Sequence, residues 1–90
     1  MAYKIEYSRK CLKQLDRLDK HDAKIIVLWI NKNIRDCANY KEVGNYKELI
    51  GNYKGYFRYR VGNYRIICKI KENELIVLAI AIAHRKNIYE

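Results

Sequence analysis

The sequence predicts an α+β fold: an N-terminal strand, a helical hairpin, then a three-stranded antiparallel meander with the helices on one sheet face. Three observations predict it. Between residues 11 and 34 apolar side chains recur at spacings of three and four. After Gly55 they alternate with polar ones instead. Gly44, Gly51, Gly55 and Gly62 all lie in the middle third, where one pattern gives way to the other, and the chain has no proline. Ninety residues leave room for one small core, so residues 1–90 are expected to form a single domain.

Tyr3, Ile5 and Tyr7 alternate with Lys4 and Glu6, the pattern of a short strand. Ser8 can cap the helix that follows, whose stripe is Cys11, Leu12, Leu15 and Leu18, ending near Asp19. Asp22 is the expected cap of a second helix lined by Ile25, Ile26, Trp29, Ile30 and Ile34, running to about Asp36. Helices joined this tightly are expected to form an antiparallel hairpin. From Cys37 to Tyr53 the pattern is polar and weak, apart from Leu49-Ile50, and reads as a loop with at most a short irregular strand. Strands follow at 56–61 and 64–71, joined at Gly62-Asn63, and a third runs from Glu74 to about Ala83 after a turn at Glu72-Asn73.

Register turns this outline into a charged surface. A two-residue loop at Gly62-Asn63, with glycine first, pairs Val61 with Tyr64, Arg60 with Arg65, Tyr59 with Ile66 and Arg58 with Ile67. Paired residues share a face. One face then carries Phe57, Tyr59, Val61, Tyr64, Ile66, Cys68 and Ile70, and should pack under the helices. The other carries Tyr56, Arg58, Arg60, Arg65, Ile67 and Lys69. Like charges opposed across a sheet repel, so Arg60 facing Arg65 is a local cost unless an anion lies between them. Residues 51–71 contain Lys54, Arg58, Arg60, Arg65, Lys69 and Lys71 and no acid, in a chain of net charge +9. Arginine fits phosphate bidentately, and Tyr56 at the edge can stack on a base. A two-residue loop at Glu72-Asn73 would pair Arg65 with Ile80. It would put Ile76, Leu78, Ile80, Ile82 and His84 on the arginine side, leaving an apolar strip for a partner to cover. His84 carries an imidazole, a side chain that can move a proton.

Other classes are disfavoured. Cys11, Cys37 and Cys68 are an odd set without a C-x-x-C pair, which speaks against a disulfide framework or zinc site and suits a reducing cytoplasm. No apolar run approaches the roughly 18 residues of a membrane span, and no apolar stretch follows Lys4 as in a signal peptide. No metal and no cofactor are expected.

Leu49-x-Gly51, then Gly55-Tyr56-x-Arg58-Tyr59-Arg60-Val61-Gly62-Asn63-Tyr64-Arg65-Ile66-Ile67, then Ala83-His84-Arg85-Lys86-x-x-Tyr89 resembles the RelE toxin branch of the RelE/ParE superfamily, over essentially the whole chain. The resemblance implies a type II toxin that enters the ribosome and cuts mRNA there without a metal, through the 2′-hydroxyl. It implies a cognate antitoxin that wraps and silences the toxin, and a hetero-oligomer of the two. Carried over by position, Arg65 and Arg85 bind phosphate and stabilise the transition state, Tyr89 orients, protonates or stacks, and His84 is a candidate acid or base. Lys54, Arg58, Arg60, Lys69, Lys86 and Tyr56 are expected to touch RNA, and Ile76, Ile80 and Ile82 the antitoxin. Glu48 lies near a glutamate that some relatives use as base. Where some members carry two lysines, this chain reads Tyr56-Phe57-Arg58. Two other readings share the surface: a ParE-like inhibitor of DNA gyrase, and an inactive basic RNA-binding module.

Overall fold

In the computed structural model, which describes residues 2–84, the chain starts as strand β1 (Lys4–Tyr7) and turns at Ser8 into helix α1 (Arg9–Arg17). The Ser8 hydroxyl accepts from Cys11 N at 3.0 Å, so the expected cap is in place. Helix α2 (Lys20–Asn33) begins one turn earlier than expected. Its cap is Asp19, whose carboxylate accepts from His21 N at 3.1 Å. Asp22 instead lies inside the first helical turn, where an acid favours the dipole.

The sheet is five-stranded, in the order β1-β5-β4-β3-β2, with β2 at Lys47–Glu48, β3 at Phe57–Val61, β4 at Tyr64–Lys71 and β5 at Ile76–His84. The predicted meander is its β3-β4-β5 part. β1 adds in parallel to β5, as Ile5 against Val77 and Tyr7 against Ala79, which brings Tyr3, Ile5 and Tyr7 to the core. The 37–53 segment contains β2 between 3-10 turns at Tyr40–Glu42 and Gly51–Tyr53. It contributes more to the core than its polarity implies: Tyr40 and Val43 are buried and Tyr46 packs against them.

The helices cover one face. Ile26, Ile30 and Ile34 of the α2 segment and Cys11 of α1 are fully buried against Tyr59, Ile66, Cys68 and Val77. The apolar stripes are narrower than expected. Leu12 and Ile25, placed on them by the sequence pattern, are 53% and 44% exposed. A period of 3.6 puts i, i+4 and i+8 in line and leaves their immediate neighbours about 100° away.

The β3–β4 hairpin has the predicted register throughout: Val61 with Tyr64, Arg60 with Arg65, Tyr59 with Ile66, Arg58 with Ile67. Gly62 takes φ +58, a conformation most side chains resist. The β4–β5 connection departs from the sequence reading. A 3-10 turn at Glu72–Glu74 and a left-handed Leu75 (φ +54) lengthen the loop, so that Lys71 pairs with Ile76. A shift of two keeps the faces. The bulge that follows does not. Cys68 pairs with Ala79 but Ile67 with Ala81, leaving Ile80 as the extra residue. Beyond it every side chain changes face. Arg65 therefore opposes Ala83, not Ile80, and Ile82 and His84 lie on the helix side with Ile66 and Tyr64. Helix α1 secures the bulge: Ser8 Oγ donates to the Ile80 carbonyl at 2.6 Å, and Gln14 Oε1 accepts from Ile82 N at 2.7 Å.

Candidate nucleic-acid interface

The face away from the helices collects the cations. Strand alternation and register place Arg58 and Arg60 of β3, and Arg65, Lys69 and Lys71 of β4, on it. Lys47 of β2 joins them opposite Arg58, and Lys4 of β1 opposite Ile76. Glu6 lies there too, and its carboxylate meets Lys71 Nζ at 3.4 Å. Both partners are well exposed, so the pair adds little stability and mainly neutralises Lys71.

The predicted residues do not form one uniform patch. Arg60 is exposed and Arg65 half-buried, and together with Gly62, Asn63 and Tyr64 they line an open cleft of about 410 Å³ at the hairpin tip. Asn45 holds this end of β3, donating from Nδ2 to the Arg60 carbonyl at 3.0 Å and accepting from Arg60 N through Oδ1. Arg58 differs from the expectation of a freely presented cation. It is only 8% exposed, and its Nη1 donates to the Asn45 carbonyl at 3.3 Å. A buried guanidinium needs such acceptors, so Arg58 fastens the Asn45 loop to β3. Lys69 is exposed mid-strand. Lys54 and Tyr56 lie apart from the hairpin tip and line a second cleft, of about 470 Å³, with Glu48.

The apolar strip assigned to a partner is broken by the bulge. Ile82 belongs to the main core at 7% exposure. Ile76 stays on the cationic face but is itself buried between Lys71 and Lys4, leaving half-buried Ile80 and Leu78 as the accessible part. His84 also leaves the arginine face. Its ring meets that of Tyr64 edge-on, at 5.2 Å between centroids and 89° between planes. The Tyr64 hydroxyl donates to Asp22 Oδ2 at 2.8 Å, a bond that pushes the phenol pKa up. The sequence pattern does not announce this tie between α2 and the hairpin tip, because there Asp22 reads as a helix cap. Arg85, Lys86 and Tyr89 lie outside the described residues.

The chain resembles proteins of one kind. The family model described as the ParE toxin of the type II toxin–antitoxin system parDE matches residues 5–89. Toxin RelE3 of Methanocaldococcus jannaschii is 31% identical over 90 residues, covering 97% of this chain and 96% of that protein. The toxin–antitoxin complex RelBE2 of Mycobacterium tuberculosis contains a chain that superposes with a TM-score of 0.77 at 20% identity, covering 94% of this chain and 93% of that one. For the archaeal RelE–RelB complex of Pyrococcus horikoshii the TM-score is 0.73 at 19% identity, with 98% and 100% covered. At such identities these two structures speak for the fold, while the family model and the M. jannaschii relative speak for descent. The chain belongs to the RelE/ParE family of toxins of type II toxin–antitoxin systems, as a RelE-type member.

Proposed function

We propose that this toxin is a ribosome-dependent mRNA endoribonuclease, held inactive by a cognate antitoxin. The observation that carries the reading is the opposed pair Arg60 and Arg65 on the sheet face away from α1 and α2. The pair is repulsive alone and complementary to an anion between its members. A phosphodiester offers oxygens that two guanidinium groups can each bind. Glu6, which register places on that face at the far side of the sheet, is engaged by Lys71.

In the proposed reaction the 2′-oxygen attacks the adjacent phosphorus as its proton leaves, and the bond to the 5′-oxygen breaks as that oxygen gains a proton. The products are a 2′,3′-cyclic phosphate and a 5′-hydroxyl. Arg65, with Arg60, holds the phosphate and meets the charge that builds on the phosphorane, the step that fixed cations accelerate most. Arg85 helps neutralise that charge, and Tyr89 orients or protonates the leaving group. Lys69, Lys54, Lys86 and Tyr56 guide the RNA, and Arg58 acts by holding the Asn45 loop. His84 has no role at the phosphate in this scheme, because its ring lies against Tyr64 on the opposite face.

The antitoxin belongs to the same reading. The similar chains in M. tuberculosis and P. horikoshii come from toxin–antitoxin and RelE–RelB complexes. We extend a hetero-oligomer to this chain, in the cytoplasm, with Leu78 and Ile80 among the contacts. A second reading, gyrase poisoning without RNA cleavage, is favoured by the matching family model, which is that of ParE. Induced expression separates the two. An Arg65→Ala/Arg85→Ala variant that folds and binds antitoxin should no longer arrest growth. Full toxicity of that variant, with inhibited DNA supercoiling, would overturn the nuclease reading.

A further inference from the structure

The arginine pair stands one rung from the end of its hairpin. Val61 pairs with Tyr64 at the last rung before the turn, and Arg60 with Arg65 at the next. Strand ends fray, and repulsion between opposed like charges acts where the fraying starts. Tyr64 is held from the helix side of the sheet. Its side chain packs against the core, whereas Arg65, the next residue, turns to the opposite face. The Tyr64 hydroxyl donates to Asp22 Oδ2 at 2.8 Å, 42 residues away in α2. The ring of His84, which pairs with Tyr64 at the end of β5, meets the Tyr64 ring edge-on. Elements α2, β4 and β5 thus meet at one phenol. Tyr64 borders both the cleft it shares with Arg60 and Arg65 and another of about 240 Å³ lined by Asp22 and His84.

We propose that Tyr64, tied to Asp22 and backed by His84, is a positioning residue for the phosphate-binding arginines. The inference rests on the nuclease reading of that pair. Tyr64 acts through Arg65 and not on the phosphate itself: it holds the backbone from which the Arg65 side chain leaves. A hydrogen bond to a charged acceptor is of the stronger kind, and losing one shifts a local opening equilibrium by on the order of tenfold. Fixed cations stabilise a transition state only while they stay aimed at the charge that develops. A loosened tip keeps its charge, so it still attracts RNA, but it occupies the productive geometry less of the time. The tie therefore acts on the rate of the chemical step and little on binding. It gives α2 a part in the reaction from the opposite side of the sheet.

Primer-extension time courses on translated mRNA, at rising concentrations of full-length variants, test this. Tyr64→Phe keeps the ring and loses the hydroxyl. It should lower the maximal cleavage rate by about tenfold and change the half-saturating toxin concentration by less than about twofold. Asp22→Ala should match it, and the double variant should be no slower than either single one. Asp22→Asn keeps an acceptor oxygen and should stay within about twofold of the wild-type rate. A wild-type rate for Tyr64→Phe, a loss carried wholly by the half-saturating concentration, or equal losses in Asp22→Ala and Asp22→Asn would overturn the positioning role. Amide exchange reads the same tie without chemistry. At Asn63, Tyr64 and Arg65 it should speed by about tenfold in Tyr64→Phe, and unchanged exchange there would overturn the positioning role alone. Faster exchange in that variant, with no cleavage of translated mRNA by the wild type, would overturn the nuclease reading alone.

Discussion

Replacing Arg60 by threonine should stabilise the fold and weaken RNA binding together. Arg60 and Arg65 are directly opposed across β3 and β4. Opposed Cα atoms lie about 4.5–5.5 Å apart, and the guanidinium groups can splay further. Two unit charges about 6 Å apart in water-like surroundings repel by about 0.7 kcal/mol. Measured like-charge pairs in sheets fall in the same range, roughly 0.2–1 kcal/mol. Threonine removes one charge and keeps a side chain suited to a strand, and the Asn45 bonds use only the Arg60 backbone. The expected gain is about 0.5 kcal/mol, a rise of roughly 2–4 °C in the unfolding midpoint of a domain this size. Circular dichroism melts at 20 mM and 1 M NaCl check it. The gain should vanish at high salt, where the screening length is about 3 Å. In parallel, the slope of log affinity against log salt for single-stranded RNA should fall by about 0.7. A variant less stable than wild type at low salt, or a gain that survives 1 M NaCl, would refute the repulsion argument.

Four further outcomes follow from particular contacts. Gln14→Ala removes the acceptor of Ile82 N in the bulge, so it should cost about 1–2 kcal/mol in urea unfolding and speed amide exchange at Ile82. Ile82→Ala should cost about 2–4 kcal/mol and Ile80→Ala well under half of that, because only Ile82 is in the core. Tyr64→Phe should cost about 1 kcal/mol, and a double-mutant cycle with Asp22→Ala should recover most of it as coupling. Burial pushes the Cys11 thiol up to about 11, so the fold retains a proton that the unfolded chain releases. Stability should therefore fall as pH rises from about 9 towards 11, while alkylation at pH 8 should reach half-buried Cys37 before Cys11 or Cys68.

The parts of the fold legible in the sequence are those set by neighbours. Gly62-Asn63 determines its own turn, and strict alternation on either side carries the register to Phe57 and Cys68. The cationic face follows from that hairpin. The third strand was not legible, for two reasons. Its turn uses Leu75 in a left-handed conformation that leucine seldom adopts, so nothing in Glu72-Asn73-Glu74-Leu75 announces it. Its bulge is held by Ser8 and Gln14, 72 and 68 residues away, and periodicity within one strand carries no trace of them. That one inserted residue moved His84 and Ile82 to the other face. Tyr40, Val43 and Tyr46 did carry a signal, a spacing of three that reflects turns packing against Phe57 and Tyr59, but it is diluted by Lys41, Glu42 and Asn45. The burial of Arg58 was hidden because an arginine on a strand reads the same whether solvent or an asparagine loop covers it.

The proposed cleavage of mRNA on the ribosome rests on the arginine pair at the hairpin tip. Primer extension on a message translated in a cell-free system tests it most directly. Cuts in register with codons, dependent on active translation, carrying a 5′-hydroxyl on the downstream fragment and lost in Arg65→Ala, are the expected result. An intact message in the presence of folded protein, or equal cutting by Arg65→Ala, would contradict it.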